Sequence, residues 1–214
     1  MAPRRPPPPL APAIWVGGLL PVALLGLQWA GGELGANPVN EALNQLGLMA
    51  LIALLATLAC TPVQRFSGWA WPARVKKHLG LLAFGFASLH LLTWAVADQG
   101  LKPGALLEDV LERPFVTVGF TAWLLLVPLA LTSTAASVRR LGFARWKRLH
   151  RLVYLAAALA VLHFTWKQKK DVSEPVVYAV ALGALLVARL PLGATGGRRG
   201  RPPPPGPAAA PGRP

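Results

Sequence analysis

The chain has few charged residues for its length, and this scarcity excludes an ordinary soluble enzyme. Only 14% of its 214 residues are charged, whereas 54% are hydrophobic, and the mean hydropathy is +0.46. A soluble globular domain has about 25% charged residues. The hydrophobic residues also fall in continuous blocks rather than in amphipathic stripes. Together these features predict an all-α integral membrane protein.

Acidic residues are the scarcer charged type, with 8 Asp and Glu against 22 Lys and Arg, which leaves a formal net charge of +14. Proteins whose basic surface binds nucleic acid are polar overall. This chain is not polar, so we expect no nucleic-acid partner. All of the acids lie outside the apolar blocks. A transporter or proton channel needs ionisable groups near the membrane midplane. That class is therefore disfavoured, although a histidine-based proton relay stays an alternative.

Cysteine is almost absent, since Cys60 is the single one in the chain. An internal disulfide, an iron–sulfur cluster and covalent haem attachment through C-x-x-C-H are therefore excluded. Any redox centre must use histidine or oxygen ligands. The apolar blocks also leave no room for a nucleotide-binding domain with a Gly-rich turn. We therefore expect electrons to come from elsewhere, with a stand-alone ferric-reductase-like haem protein as a further alternative.

Six apolar segments approach the roughly 20 residues that a spanning helix needs. They cover residues 14–30, 43–61, 79–97, 115–135, 149–166 and 175–190. The second is predicted to end at Pro62, because proline disrupts a helix interior. The first also resembles a signal peptide, but its length favours a retained helix.

These segments predict a six-helix transmembrane domain over residues 13–191. Residues 1–12 are expected to be a disordered basic and proline-rich leader, and residues 192–214 a disordered tail rich in Pro, Gly and Arg. With the N-terminus inside, 17 of the 22 Lys and Arg fall on the inner side. Membrane proteins carry an excess of basic residues on their cytoplasmic side. Both termini are therefore predicted to be cytoplasmic. The inner face is predicted to contact lipid headgroups.

The four histidines are the main polar signal within the apolar blocks. His90 follows His78 by twelve residues, and His163 follows His150 by thirteen, on two spans that run in the same direction. We therefore expect His90 level with His163 in the outer half, and His78 level with His150 near the inner face. Two levels of paired imidazoles suit two stacked haems with axial histidine ligands.

Other roles for these histidines stay open. Positions twelve or thirteen apart differ by about 120° to 140° around a straight helix. Each pair therefore shares a face only if a helix tilts or is irregular. A histidine can also hydrogen-bond across a helix interface or relay protons. His150 lies among cations and His78 follows two lysines, so both are weaker candidates than His90 and His163.

Six motifs give the chain a specific resemblance. In chain order they are GANPV (35–39), LLATLACTP (54–62), KKHLGLLAFGFASLH (76–90), ERPFVTVGF (112–120), LALTST (129–134) and RRLGFARWKRLHRLVYLAAALAVLHFTWKQK (139–169). In this order and spacing they resemble the MsrQ (YedZ) family of haem-binding membrane subunits, within the ferric-reductase-like transmembrane superfamily. The resemblance covers about residues 35–190.

The resemblance implies a b-type haem protein of the bacterial inner membrane, with one or two haems and an associated FMN. It implies a periplasmic molybdopterin partner, MsrP-like, that reduces methionine sulfoxide in oxidised proteins. Electrons would come from the quinone pool or from a cytoplasmic flavin-dependent donor, and the chain itself would have no substrate site. The family's haem histidines correspond to His90, His150 and His163, whereas His78 lies outside that pattern.

Several cations near the expected haem levels are candidates to contact haem propionates. They are Arg74, Lys77, Arg145 and Arg148 on the inner side, and Arg113 on the outer side. Contact with lipid headgroups explains each of these positions equally well.

Overall fold

The computed structural model describes residues 10–168 and 171–190. These residues form helices joined by short turns and contain no strand. The helices are α1 (Leu10–Ala30), α2 (Pro38–Ser67), α3 (Trp71–Thr93, continued by a π-helical turn at Trp94–Asp98), α4 (Pro103–Glu112), α5 (Pro114–Leu131), α6 (Ala135–Leu141), α7 (Phe143–Leu149), α8 (Leu152–Lys167) and α9 (Ser173–Val187). Residues 10–12 of the predicted leader belong to α1. The rest of that leader and the predicted tail lie outside the described residues.

Five helical segments are long and apolar enough to cross a membrane. They are Leu10–Ala30, Pro38–Ser67, Trp71–Asp98, Pro114–Leu131 and Phe143–Lys167. Four of them contain the corresponding predicted span, and Pro114–Leu131 overlaps most of the predicted span 115–135. The prediction of an all-helical chain with several candidate spans is therefore confirmed. Helix α9 has 15 residues, which rise only about 22 Å against a hydrocarbon core of about 30 Å. The sixth span therefore stays a prediction.

Helix α2 does not end at Pro62, and that expectation is wrong. The helix continues to Ser67 and ends at Gly68, whose φ of 71° is the left-handed conformation that favours glycine. Proline has no N–H, so the carbonyl of Leu58 loses its partner within the helix. The guanidinium of Arg189 donates a hydrogen bond to that carbonyl instead. A contact from beyond α9 thus compensates for the proline.

The helices pack in pairs around an apolar core. Helix α2 packs along α3 and α5 packs along α8, while α1 contacts α3, and α9 contacts both α8 and α2. Ala83, Ala156 and Ala157 are fully buried where these helices meet. Small side chains at such positions allow the helix backbones to approach closely.

The fifth candidate span is interrupted at His150 and Arg151, between α7 and α8. The amide of Arg151 donates to the carbonyl of Arg148, and that of Tyr154 to the carbonyl of Arg151, each three residues back. This is the hydrogen-bond pattern of a 3₁₀ turn, which has about 3.0 residues per turn instead of about 3.6. The turn is a local irregularity of the kind that changes the angle between His150 and His163.

Helix α4 lies in the segment predicted as the outer loop before the fourth span. Its Leu107 and Leu111 are exposed, whereas Asp109 is buried. The carboxylate of Asp109 accepts a hydrogen bond of 3.0 Å from the indole of Trp94 and forms an ion pair of 2.8 Å with Arg113. This carboxylate therefore joins the π-helical turn, α4 and the start of α5.

Candidate functional site

A cavity lies between α2, α3, α5 and α8, at the level of His90 and His163. The cavity opens to solvent, and the space free of protein atoms in the cavity and its open mouth together is about 1250 Å³. Its walls are mostly apolar and include Leu51, Leu54, Ala83, Phe120, Leu126 and Phe164. Its polar lining consists of His90, His163, Trp94, Asn40, Asn44 and Lys167 among the described residues.

His90 on α3 lies against the backbone of α2. Its Nδ1 is 2.9 Å from the carbonyl oxygen of Leu43. Four residues further along α2, a Cβ added to Gly47 would lie 3.2 Å from both Cε1 and Nδ1 of the imidazole. Glycine at this position thus leaves room for the ring to reach the backbone.

His163 on α8 repeats this arrangement against α5. Its Nδ1 is 2.7 Å from the carbonyl oxygen of Phe115. A Cβ added to Gly119, again four residues after the carbonyl, would lie 2.5 Å from Nδ1 and 2.8 Å from Cε1. The imidazole therefore occupies the space that a side chain at Gly119 would fill.

The carbonyl contacts define the protonation of both rings. A carbonyl oxygen only accepts hydrogen bonds, so Nδ1 must carry the proton in His90 and in His163. In the neutral imidazole, Nε2 then has a free lone pair. Histidines that bind metals commonly donate their other ring N–H to a backbone carbonyl in this way, which fixes the tautomer and the ring orientation. Both side chains are thus prepared to bind a metal through Nε2.

The spacing of the two imidazoles suits one metal ion between them. Their centroids are 6.0 Å apart and their planes are nearly perpendicular, at 85°. A metal–imidazole bond is about 2.0 Å long, so two imidazoles on opposite sides of one ion have centroids roughly 6 Å apart. Over residues 10–168 and 171–190, no three His, Cys, Asp or Glu side chains lie close enough together to hold a bare ion. The donor set therefore fits a metal that brings its own equatorial ligands, as haem iron does.

His150 lies outside this cavity, at the break between α7 and α8. Its Nε2 is 3.0 Å from the hydroxyl of Thr132, which itself donates to the carbonyl of Pro128 over 2.6 Å. Because the hydroxyl proton is already used, Nε2 of His150 is the donor to Thr132. The indole of Trp146 packs on the imidazole with centroids 4.1 Å apart. In this arrangement the free lone pair of His150 is on Nδ1.

His78 joins α3 to α1. The indole N–H of Trp15 donates to its Nδ1 over 3.1 Å, and the two rings meet edge to face. A neutral imidazole that accepts at Nδ1 carries its proton on Nε2. The structure thus brings His90 and His163 together at one level, while His78 and His150 contact different partners. Haem binding by any of the four stays a prediction.

The cations expected near propionates do not line the cavity. Arg113 pairs with Asp109. The inner candidates are all exposed side chains and are Arg74, Lys77, Arg145 and Arg148. Lys167, which the sequence analysis left out, does line the cavity. Its position four residues after His163, on the same helix face, is a signal that the sequence contained.

Comparisons with known proteins identify the family of the chain. Residues 43–161 match the family model described as ferric reductase like transmembrane component. A protein of Deinococcus radiodurans named protein-methionine-sulfoxide reductase heme-binding subunit MsrQ is 54% identical over 189 residues, which are 87% of this chain and 93% of that protein.

Two further relatives carry the same name. That of Rhodospirillum rubrum is 48% identical over 191 residues, covering 89% of this chain and 92% of the relative. That of Ralstonia nicotianae is 42% identical over 180 residues, covering 83% of each. No solved structure gives a significant match. At these identities over most of both chains, this protein belongs to the MsrQ family of ferric-reductase-like transmembrane proteins.

Proposed function

We propose that the chain is a haem-binding electron-transfer subunit of a membrane, with no substrate site of its own. The observation that carries this proposal is the pair of imidazoles of His90 and His163, 6.0 Å apart across an apolar cavity. Its relatives are named as heme-binding subunits, which supports the same function. A bound haem b would supply the one-electron chemistry.

The protein's own residues would supply ligation, orientation and an apolar environment. His90 and His163 would bind the iron through Nε2. The carbonyls of Leu43 and Phe115, which accept from Nδ1, would keep both rings in the required tautomer and orientation. The apolar walls would exclude water, and such burial is one of the means by which a protein tunes a redox potential.

A second haem is proposed for the inner level, with His150 as a ligand. His78 or a group other than histidine would complete this site or leave one side open. Ligation through Nε2 would require His150 to give up its bond to Thr132. Arg74, Lys77, Arg145 and Arg148 are the cations proposed for its propionates, and Arg113 is an outer candidate. The family resemblance also supports a bound FMN.

The proposed direction of electron transfer is from the cytoplasmic side to the periplasm of a bacterial inner membrane. The distribution of cations supports six spans with both termini cytoplasmic. The donor would be the quinone pool or a cytoplasmic flavin reductase. The acceptor would be an MsrP-like molybdopterin enzyme that reduces methionine sulfoxide in oxidised periplasmic proteins. The relatives' name, which includes protein-methionine-sulfoxide reductase, supports this type of partner.

Pyridine-haemochrome quantification tests the proposal directly. We expect purified wild-type protein to show a reducible Soret and α band, and His90→Ala and His163→Ala to lose the outer haem. His150→Ala should lose only the inner haem, so a preparation with two haems would retain about half of its absorbance. His78→Ala is the matched control for the outer site. A colourless wild-type protein from haem-supplemented cells, or unchanged spectra in His90→Ala and His163→Ala, would contradict the proposal.

A further inference from the structure

We propose that Lys167 binds a propionate of the haem in the His90–His163 cavity, with Asn44 holding its ammonium group in place. This inference rests on the proposed haem-binding function. The haem carboxylates would then lie at the end of the cavity formed by Lys167 and Asn44, and Lys167 would neutralise one of them. On the outer side the sequence offers Arg113 as a candidate for this role, with lipid-headgroup contact as the alternative.

The first support is the charge distribution of the cavity lining. Among the described residues of the lining, Lys167 is the one Lys, Arg, Asp or Glu side chain. No carboxylate lines the cavity within the same set of residues. Arg113, in contrast, already pairs with Asp109 over 2.8 Å. A carboxylate entering this cavity thus finds one cation, and that cation is Lys167.

The second support is the position of Lys167 relative to both imidazoles. It lies one helical turn beyond His163 on α8, and residues four apart share a helix face. Its Nζ donates to the side-chain oxygen of Asn44, the residue next to the carbonyl that binds His90. The contact therefore links α8 to α2 at the end of the cavity where the carbonyls of Leu43 and Phe115 bind the two imidazoles.

The third support is the capacity of the ammonium group for further hydrogen bonds. A lysine ammonium has three N–H donors, and Asn44 takes one of them. Within the described chain, no carboxylate lies within 4.0 Å of Lys167. Two donors therefore have no partner among the described residues and could bind a ligand in the cavity.

The chemistry of haem matches this distribution. Its macrocycle is apolar and suits the leucine, alanine and phenylalanine walls, whereas its two propionates are ionised. Burying an ionised carboxylate without a partner is very costly. The propionates must therefore lie at the polar, exposed end of the cavity, which is formed by Asn40, Asn44 and Lys167.

The test compares Lys167→Met with wild type in purified protein. Methionine keeps an unbranched side chain but removes the charge and the donors. Lys102→Met removes an exposed lysine that does not line the cavity, and is the matched control. Two quantities are measured, namely the midpoint potential of the haem and the rate of haem transfer to apomyoglobin. The second is repeated after reconstitution with haem dimethyl ester, which lacks the carboxylates.

We expect Lys167→Met to keep the wild-type spectrum, since both axial histidines remain. The ferrous-to-ferric ratio at a fixed ambient potential should fall about tenfold, as estimated for one unit charge roughly 10 Å from the iron at an effective dielectric constant of about 20. Haem transfer should be about tenfold faster than in wild type, as expected for the loss of one hydrogen bond to a charged group, and this difference should disappear with the dimethyl ester. Lys102→Met should match wild type in each measurement.

Each other outcome overturns a specific statement. Equal potentials and transfer rates in Lys167→Met and wild type would overturn the role of Lys167 while leaving haem binding intact. A lowered potential with the same tenfold rate difference for haem and for its ester would show that Lys167 does not bind the propionate. Wild-type protein without haem would instead contradict the proposed function itself.

Discussion

Gly47 and Gly119 leave the space through which the imidazoles of His90 and His163 reach their carbonyl partners. In each case the carbonyl belongs to the residue four positions before a glycine, and the imidazole lies where the glycine lacks a side chain. The ring nitrogen that would bind a metal is then directed by a backbone contact rather than by another side chain. The orientation of the two imidazoles thus depends on Gly47 and Gly119.

Replacement of Gly119 by alanine should displace the imidazole of His163. The added Cβ would lie 2.5 Å from Nδ1, which is too close for the ring to stay in place. Loss of such a hydrogen bond to a metal-binding histidine costs about 10–100-fold in metal affinity. We expect Gly119→Ala to bind haem correspondingly more weakly in haem titrations of the apoprotein.

Gly47→Ala provides a graded comparison, because its Cβ would lie 3.2 Å from the ring of His90 and a shift of a few tenths of an ångström relieves the contact. Its loss of affinity should be smaller than that of Gly119→Ala. Gly85→Ala is the control, since nothing lies within 4 Å of a Cβ there. Equal haem affinity in all three variants would contradict the role of the two glycines.

At the scale of elements, α2 shows how a helix continues through a proline. The carbonyl of Leu58 lacks its helical donor because of Pro62, and Arg189 donates to it from beyond the end of α9. The same guanidinium donates to the hydroxyl of Tyr154 on α8 over 2.8 Å. One side chain thereby ties the last helix to two spans of the bundle.

Arg189→Met should destabilise the protein, because it leaves a buried carbonyl without a partner, at a cost of about 1–3 kcal/mol. Adding Pro62→Ala should recover part of this loss, since alanine supplies the N–H that α2 lacks. Cys60 is the one thiol of the chain and is buried. Its reaction with a fluorogenic maleimide during heating therefore measures unfolding.

The exposed Arg140→Met is the control for this measurement and should unfold as wild type does. Pro62→Ala should be more stabilising in the Arg189→Met background than alone. If the effects of the two substitutions simply add, the compensation between Arg189 and the proline is absent.

At the scale of the whole molecule, the distribution of charge implies an orientation in the membrane. In the predicted topology the cavity and helix α4 fall on the outer side, and most cations fall on the inner side. Helix α9 is the element on which the topology depends. With 15 residues it is short for a span, and local thinning of the bilayer or snorkelling of flanking residues would have to accommodate it.

Labelling of single introduced cysteines by a membrane-impermeant maleimide tests this topology. In intact spheroplasts we expect Lys102→Cys to be labelled, and Arg140→Cys and Arg213→Cys to be protected until the membrane is opened. Wild type is the control, because Cys60 is buried. Labelling of Arg213→Cys in intact spheroplasts would indicate five spans and a C-terminus outside.

Features that are local along the chain could be predicted from the sequence. Hydropathy located the first five spans, and a rise of about 1.5 Å per residue placed His90 and His163 at the same level. The continuation of α2 through Pro62 could not be predicted, because the partner of the Leu58 carbonyl lies 131 residues away. Helices α4, α6 and α7 were not predicted either, because such short helices lack the long apolar runs by which spans are recognised.

Composition, motif order and helical rise need no tertiary contact, so the membrane class, the family and the four candidate haem histidines follow from the sequence alone. The packed helices were needed to show which carbonyls bond to the imidazoles, which glycines make room for the rings and which cation lines the cavity. These features depend on contacts between residues 47, 48 and 123 positions apart. Contacts of that kind exist only once the helices have packed.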